Sequence, residues 1–117
     1  MFHLSLPVNR FAACLEFYQK SFDARIVMLS QSAANVYAFG GQITLHDQPL
    51  STFGDAQRRE MHFGHVVSPD QWRLVRDRLQ ELGVEFSLCV EPDEVSGRRG
   101  KLLVTDPSGN LVEINSS

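Results

Sequence analysis

Two histidines and one late carboxylate stand where a metal centre would need them in this 117-residue chain. His3 lies in the alternating run Phe2-His3-Leu4-Ser5-Leu6-Pro7-Val8, and His62 lies in Met61-His62-Phe63-Gly64-His65-Val66-Val67. In a strand, successive side chains point to opposite faces. Phe2, Leu4, Leu6 and Val8 then share the core face, and His3 and Ser5 point away from it. Near the end of the chain, Leu111, Glu113 and Asn115 share one face against Val112 and Ile114. If these strands lie side by side, His3, His62 and Glu113 can converge. Two imidazoles and a carboxylate make the set suited to Fe(II), and similar sets hold Mn, Zn, Ni or Co. The imidazoles bind as neutral rings and the carboxylate as its anion. Three protein ligands leave open positions where substrate oxygens can bind and be polarised. A lone strand histidine is ordinarily a surface or core residue, so the metal reading rests on the match between two of them. His46 shares a face with Thr44 and Gln42 and is a candidate acid/base lining the cleft, with a plain surface position as the equal alternative. His65 falls on the face opposite His62 and reads as a core or edge histidine.

The elements that must position these residues are legible from periodicity. Phe11, Leu15, Tyr18 and Phe22 recur at helical spacing, predicting a helix over 10–21 with Asn9 as its cap. Strands follow at 25–29, 35–39 and 42–46, with Gly40-Gly41 as a turn. The stretch 48–60 has no apolar rhythm and reads as a linker. A strand at 61–67 then leads to Ser68-Pro69-Asp70-Gln71, where Ser68 caps, Pro69 takes the first helical position and Gln71 can close a capping box. Trp72, Val75, Leu79 and Leu82 form the expected buried stripe, and Gly83 stops the helix. Strands at 84–90, 101–105 and 110–115 complete the chain, with Asp106-Pro107-Ser108-Gly109 as a turn. The order β, α, β, β, β thus occurs twice, about 59 residues apart, as a repeat of pattern rather than of identity. The expected class is α+β: paired βαβββ modules, 1–47 and 61–117, forming a curved mixed sheet around a cleft.

Composition narrows the function. The formal charge is -3, and no basic stripe is present to offset nucleic-acid phosphates. Arg58-Arg59 and Arg98-Arg99-Gly100-Lys101 are the dense basic spots, and both read as solvated loop charge. Cys14 and Cys89 read as small buried apolar residues, not as a disulfide or metal motif. The first residues lack a charged and apolar leader pattern, and no apolar run is long enough to span a membrane. Asn115-Ser116-Ser117 fits a glycosylation pattern by chance. The expected location is the cytoplasm.

The segments FHLSLPVNRFAACLEFYQKSF, FGGQITLHDQP, MHFGHVVSPDQWRLVRDRLQELGVEF and LLVTDPSGNLVEI resemble the vicinal-oxygen-chelate superfamily of glyoxalases, bleomycin-resistance proteins and extradiol dioxygenases. The DPxGNxxE ending is the most specific piece. The resemblance implies paired βαβββ modules with ligands on the first and last strands of each. By position, His3, His62 and Glu113 match three ligands of a divalent ion (Fe, Mn, Zn or Ni), and Thr44 stands at the fourth. Glyoxalase I-like members usually fill all four positions. Extradiol dioxygenases and fosfomycin-resistance-like thiol transferases resemble the three-ligand pattern. The implied function is a small metal-dependent enzyme that chelates neighbouring oxygens of a small oxygen-rich or aromatic substrate. The alternative is a metal-free binder of flat ligands, to which Tyr37, Phe39, Trp72 and Phe86 would offer apolar surface. Many small relatives are homodimers whose cleft mixes modules from two chains, so His3 would come from one chain and His62 with Glu113 from the other. Arg98, Arg99 and Lys101 would then reach an anionic substrate from a loop over the cleft, or remain solvent-exposed charge.

Overall fold

The computed structural model describes residues 1–49 and 54–117. The first module is β1 (Phe2–Val8), α1 (Phe11–Phe22), β2 (Arg25–Ser30), β3 (Ala33–Ala38) and β4 (Gly41–Asp47). After α2 (Asp55–Glu60), the second is β5 (Phe63–Val67), α3 (Pro69–Glu81), β6 (Leu88–Val90), β7 (Lys101–Thr105) and β8 (Leu111–Ser116). Each module builds one four-stranded mixed sheet, in the orders β1-β4-β3-β2 and β5-β8-β7-β6. In both, the first strand runs parallel to the last, because the helix carries the chain back across the sheet before the remaining strands meander antiparallel. The fold is mixed α+β, and the twofold βαβββ repeat is present as the periodicity implies.

The alternation decides which face each helix covers. Leu6, Val8, Val36, Ile43 and Leu45 of the first sheet are buried, as are Leu102, Val104, Val112 and Ile114 of the second. Cys14, Tyr18, Trp72 and Leu79 close these faces from the helices. Each such side chain, fully buried, contributes about 1.5–3 kcal/mol. The β3–β4 hairpin turns through Phe39 (φ 57°) and Gly40 (φ 70°). Two successive left-handed residues match the right-handed twist of the strands. Phe39 tolerates that conformation because its ring packs against Phe22 and Phe63 at centroid distances of 4.9 and 6.2 Å.

The modules join on their helix sides. Arg78 Nε donates to the Lys20 carbonyl at 2.7 Å, linking α3 to α1. Tyr18 donates its phenol proton to Asp106 Oδ2 at 2.7 Å across the seam. Ser108 Oγ accepts from the backbone N–H groups of Asn9 and Arg10, both at 3.2 Å. The α1 N-terminus is therefore satisfied from the other module. Asn9 does not cap it; Arg10 holds the cap position without a side-chain bond. Ser68 caps α3 as expected, accepting from Gln71 N.

Five expectations need correction. The linker carries α2: Gln57 Oε1 accepts from Gly54 N at 2.6 Å, and the buried Arg58 donates to Asn110 Oδ1 at 2.6 Å and to the Pro7 carbonyl at 3.1 Å. Arg58 is thus an internal clamp and not solvated loop charge, while residues 50–53 of that stretch lie outside the described residues. Leu82 is exposed, because α3 ends at Glu81 and turns out at Gly83 (φ 72°). Cys89 is exposed on β6, an edge strand with a neighbour on one side only. The strand at 84–90 shortens to Leu88–Val90, since Val84 N is taken by the Leu79 carbonyl closing the helix end.

Candidate functional site

His62 directly precedes β5, which runs parallel to β8 with Gly64 opposite Glu113. A side chain at Gly64 would run into the Glu113 backbone oxygen, so only glycine lets the two strands come this close. The approach sets His62 Nε2 2.9 Å from Glu113 Oε2. The other ring nitrogen, Nδ1, donates to the Arg59 carbonyl at 3.2 Å. In the neutral ring this bond leaves Nε2 as a lone pair. A lone pair facing a carboxylate oxygen requires a second ring proton or a cation between them. Two donors each about 2.1 Å from one ion, at right angles, stand about 3 Å apart. The pair therefore fits a divalent ion in both donor type and spacing.

Lys101 holds the far side of the carboxylate, with Nζ 3.1 Å from Glu113 Oε1. Burial alone would push the Glu113 carboxyl up. The Lys101 ammonium, the Asn115 amide and His62 together outweigh this and hold it below its ordinary value. A cleft of about 310 Å³ opens over His62, Gly64, Val66, Glu113 and Asn115. Asn115 Oδ1 is buried in the wall of this face without a hydrogen-bond partner among the described residues. Lys101 is the residue that strand reasoning underused: it lies in β7, paired with Asn115, so it reaches Glu113 diagonally and does not sit on a loop. The alternation Lys101-Leu102-Leu103-Val104-Thr105 carried that signal. Arg98 instead donates twice to the Glu91 carbonyl, and Arg99 to that of Ser116.

The first sheet presents the matching face. His3, Gln42, Tyr37 and Arg25 form one row, Ser5, Thr44 and Asn35 the next, and Pro7, His46 and Ala33 a third. Thr44 Oγ1 donates to Asn35 Oδ1 at 2.8 Å, which occupies the hydroxyl at the fourth ligand position. His46 Nε2 is 2.9 Å from Ser5 Oγ. His46 lies in register with Pro7, four residues beyond His3, or about 13 Å along the strand. Its ring nevertheless leans back along the sheet to Ser5, two residues from His3. Among the described residues, no three His, Cys, Asp or Glu side chains of the chain gather closely enough to hold a metal. The structure thus brings His62 and Glu113 together and leaves His3 and His46 exposed or half-buried on the other sheet. His65, opposite in face to His62, packs its ring against Phe39 at 6.2 Å. Trp72 is core, its indole N–H donating to the Ile114 carbonyl, and Tyr37 carries the Arg25 guanidinium over its ring.

Two modules of this order, each with its first and last strands adjacent, define a class of fold. The model of the Glyoxalase/Bleomycin resistance protein/Dioxygenase superfamily matches residues 1–114, and the chain belongs to that family. Among solved structures, the genomically encoded fosfomycin resistance protein of Listeria monocytogenes is 22% identical, with a TM-score of 0.74, over 100% of this chain and 92% of that one. A lactoylglutathione lyase from Agrobacterium tumefaciens is 16% identical, TM-score 0.76, over 100% and 92%. A family protein from Alicyclobacillus acidocaldarius is 18% identical, TM-score 0.76, over 99% and 89%. At these identities the likeness is one of fold. No helix among the described residues is long and apolar enough to cross a membrane.

Proposed function

We propose that the chain is a small metal-dependent enzyme that works as a homodimer, with His62 and Glu113 of one copy and His3 of the other holding a divalent ion. The observation that carries this reading is the 2.9 Å approach of His62 Nε2 to Glu113 Oε2, with Nδ1 fixed on the Arg59 carbonyl. Dimerisation supplies the third donor. Among the described residues, β1 and β5 are both edge strands, and exposed edges call for cover. Phe2 is 70% exposed beside His3 on β1, and Val66 is 54% exposed on β5. These apolar side chains on both edges would give a second copy something to cover.

The ion would polarise two neighbouring oxygens of a small oxygen-rich or aromatic substrate and stabilise the anion that develops on them. The chain's own residues do the rest. Arg59 fixes the His62 tautomer through its carbonyl. Lys101 orients Glu113 by one oxygen, leaving the other for binding, and its remaining N–H groups offer an electrostatic contact to an anionic substrate. Gly64 keeps the cleft open above the pair. Elemental analysis of the untagged protein after incubation with Fe(II), Mn(II), Zn(II) or Ni(II) tests the reading. Near one ion per chain in the native protein, lost in His62→Ala and Glu113→Ala, supports it; an empty native protein defeats it.

One observation favours a second reading, a metal-free binder of small molecules. The Lys101 ammonium already neutralises Glu113 without an ion. An empty native protein that takes up flat aromatic ligands at this cleft would establish that reading instead.

A further inference from the structure

On the helix side of the molecule, the seam between the modules holds an open hollow of about 400 Å³. That lies in the range of small-molecule sites. Phe22 of α1, Phe39 of the β3–β4 hairpin, Val67 of β5, Val75 of α3 and Ile114 of β8 make its apolar walls. Phe22 and Phe39 meet edge to face at 4.9 Å, giving a wall suited to a flat ring.

The polar groups here are the informative ones. Ser21 lines the hollow and is 3% exposed, and its hydroxyl has no hydrogen-bond partner among the described residues. Its oxygen is not sealed from water, so a ligand hydroxyl can take the place of solvent there. His65, which is exposed, also lines the hollow; its ring packs near Phe39, and its nitrogens are open to solvent or to a ligand. At the rim, Asp23 and Arg78 carry opposite charges, and Arg78 Nε is already committed to the Lys20 carbonyl. Opposed rim charges give no net preference for an ion of either sign. They favour a neutral ligand with a dipole.

We propose that this seam is a second ligand site, for a small neutral aromatic molecule bearing a hydroxyl, of the phenol class. The ring lies against Phe22 and Phe39, and the hydroxyl meets Ser21 Oγ and His65. His65 also borders the cleft over His62 and Glu113, but neither proposed ligand lines the seam, and the site stands or falls without the metal. Because it spans α1, β5 and α3, occupancy would link the two modules.

Titration of the ¹⁵N-labelled full chain with 4-methylphenol, with benzoate and benzylamine as charged controls, tests the proposal. Saturable shifts at the amides of Ser21, Phe39, Val67 and Val75 are expected, with a dissociation constant on the order of 1 mM or tighter. Both charged controls should bind more weakly. Ser21→Ala, which preserves helix propensity, should weaken binding about fivefold, the loss of one neutral hydrogen bond. Val75→Trp should fill the hollow and abolish the shifts. The proposal is overturned if no shifts occur at these amides, if they cluster at Gly64 and Glu113 instead, or if benzoate or benzylamine binds as tightly as the phenol. Unchanged affinity in Ser21→Ala overturns it as well.

Discussion

Tyr18 and Asp106 face each other across the module seam, the phenol donating to Asp106 Oδ2 at 2.7 Å in a fully buried setting. The same carboxylate organises its own turn: Oδ1 accepts from the backbone N–H groups of Ser108 and Asn110, and Oδ2 also accepts from Asn110 Nδ2 at 2.8 Å. Asn110 passes the connection to Arg58, and Arg58 to the Pro7 carbonyl at the end of β1. A continuous chain of polar contacts thus runs from α1 through the β7–β8 turn and back to the first sheet. Burial, and then the Asp106 charge, push the Tyr18 phenol well above its ordinary value, so it remains a donor throughout the accessible pH range.

Tyr18→Phe removes one charge-assisted bond and leaves Asp106 three other donors. Such bonds contribute about 1.5–3 kcal/mol, so the variant should unfold at lower urea with an unchanged slope. Asp106→Ala removes the acceptor of all four bonds and orphans buried N–H groups. It should cost more than Tyr18→Phe. Equal midpoints for the two variants would show that the turn does not depend on this carboxylate.

The sequence makes the repeat, the strand faces and the α3 cap legible because these depend on local alternation and capping chemistry. His62 and Glu113 are likewise readable, since a strand register puts them on one face. The anchoring of α2 by Arg58 is not readable, because its partners Pro7 and Asn110 lie 51 and 52 residues away. The same holds for Ser108 serving α1 in place of Asn9. Cys89 carries a strand pattern like any buried residue; its exposure follows from β6 being an edge, which only the assembled sheet decides.

The two thiols should differ in reactivity. Burial, then the Asp106 charge, push the Cys14 thiol up to about 11. Cys14 is also fully enclosed, whereas Cys89 is exposed. A disulfide reagent at pH 8 should titrate one thiol rapidly in the native chain and both in urea. The raised value also makes stability depend on alkaline pH. The native state holds the Cys14 proton more tightly than the unfolded chain, so this contribution is intact below about 9 and is lost as pH rises towards about 11. Cys14→Ala should flatten part of that alkaline fall, measured as urea midpoints between these pH values.

Glu113 should stay ionised below the ordinary carboxylate range. Its lowered value means that its contribution is present above the ordinary 4.5 and fades as pH falls through the lower folded value. Lys101→Met removes the main group that lowers it, leaving burial less opposed. The Glu113 carboxyl should then titrate at higher pH in ¹³C spectra. An unmoved titration would show that the 3.1 Å contact to Lys101 does not persist in solution.

The central claim is a metal centre shared between two copies, and mixing variants tests it most directly. His3→Ala and Glu113→Ala proteins are each loaded with Mn(II), alone and after co-refolding as an equimolar mixture, and bound metal is measured. Each variant alone should hold almost none. In the mixture, random pairing makes half the dimers mixed, each with one intact site, so metal should recover to about a quarter of the native content. Recovery of that order would establish that His3 and the His62–Glu113 pair meet across chains. Full metal in His3→Ala alone, or no recovery in a mixture shown to form mixed dimers, would contradict the account.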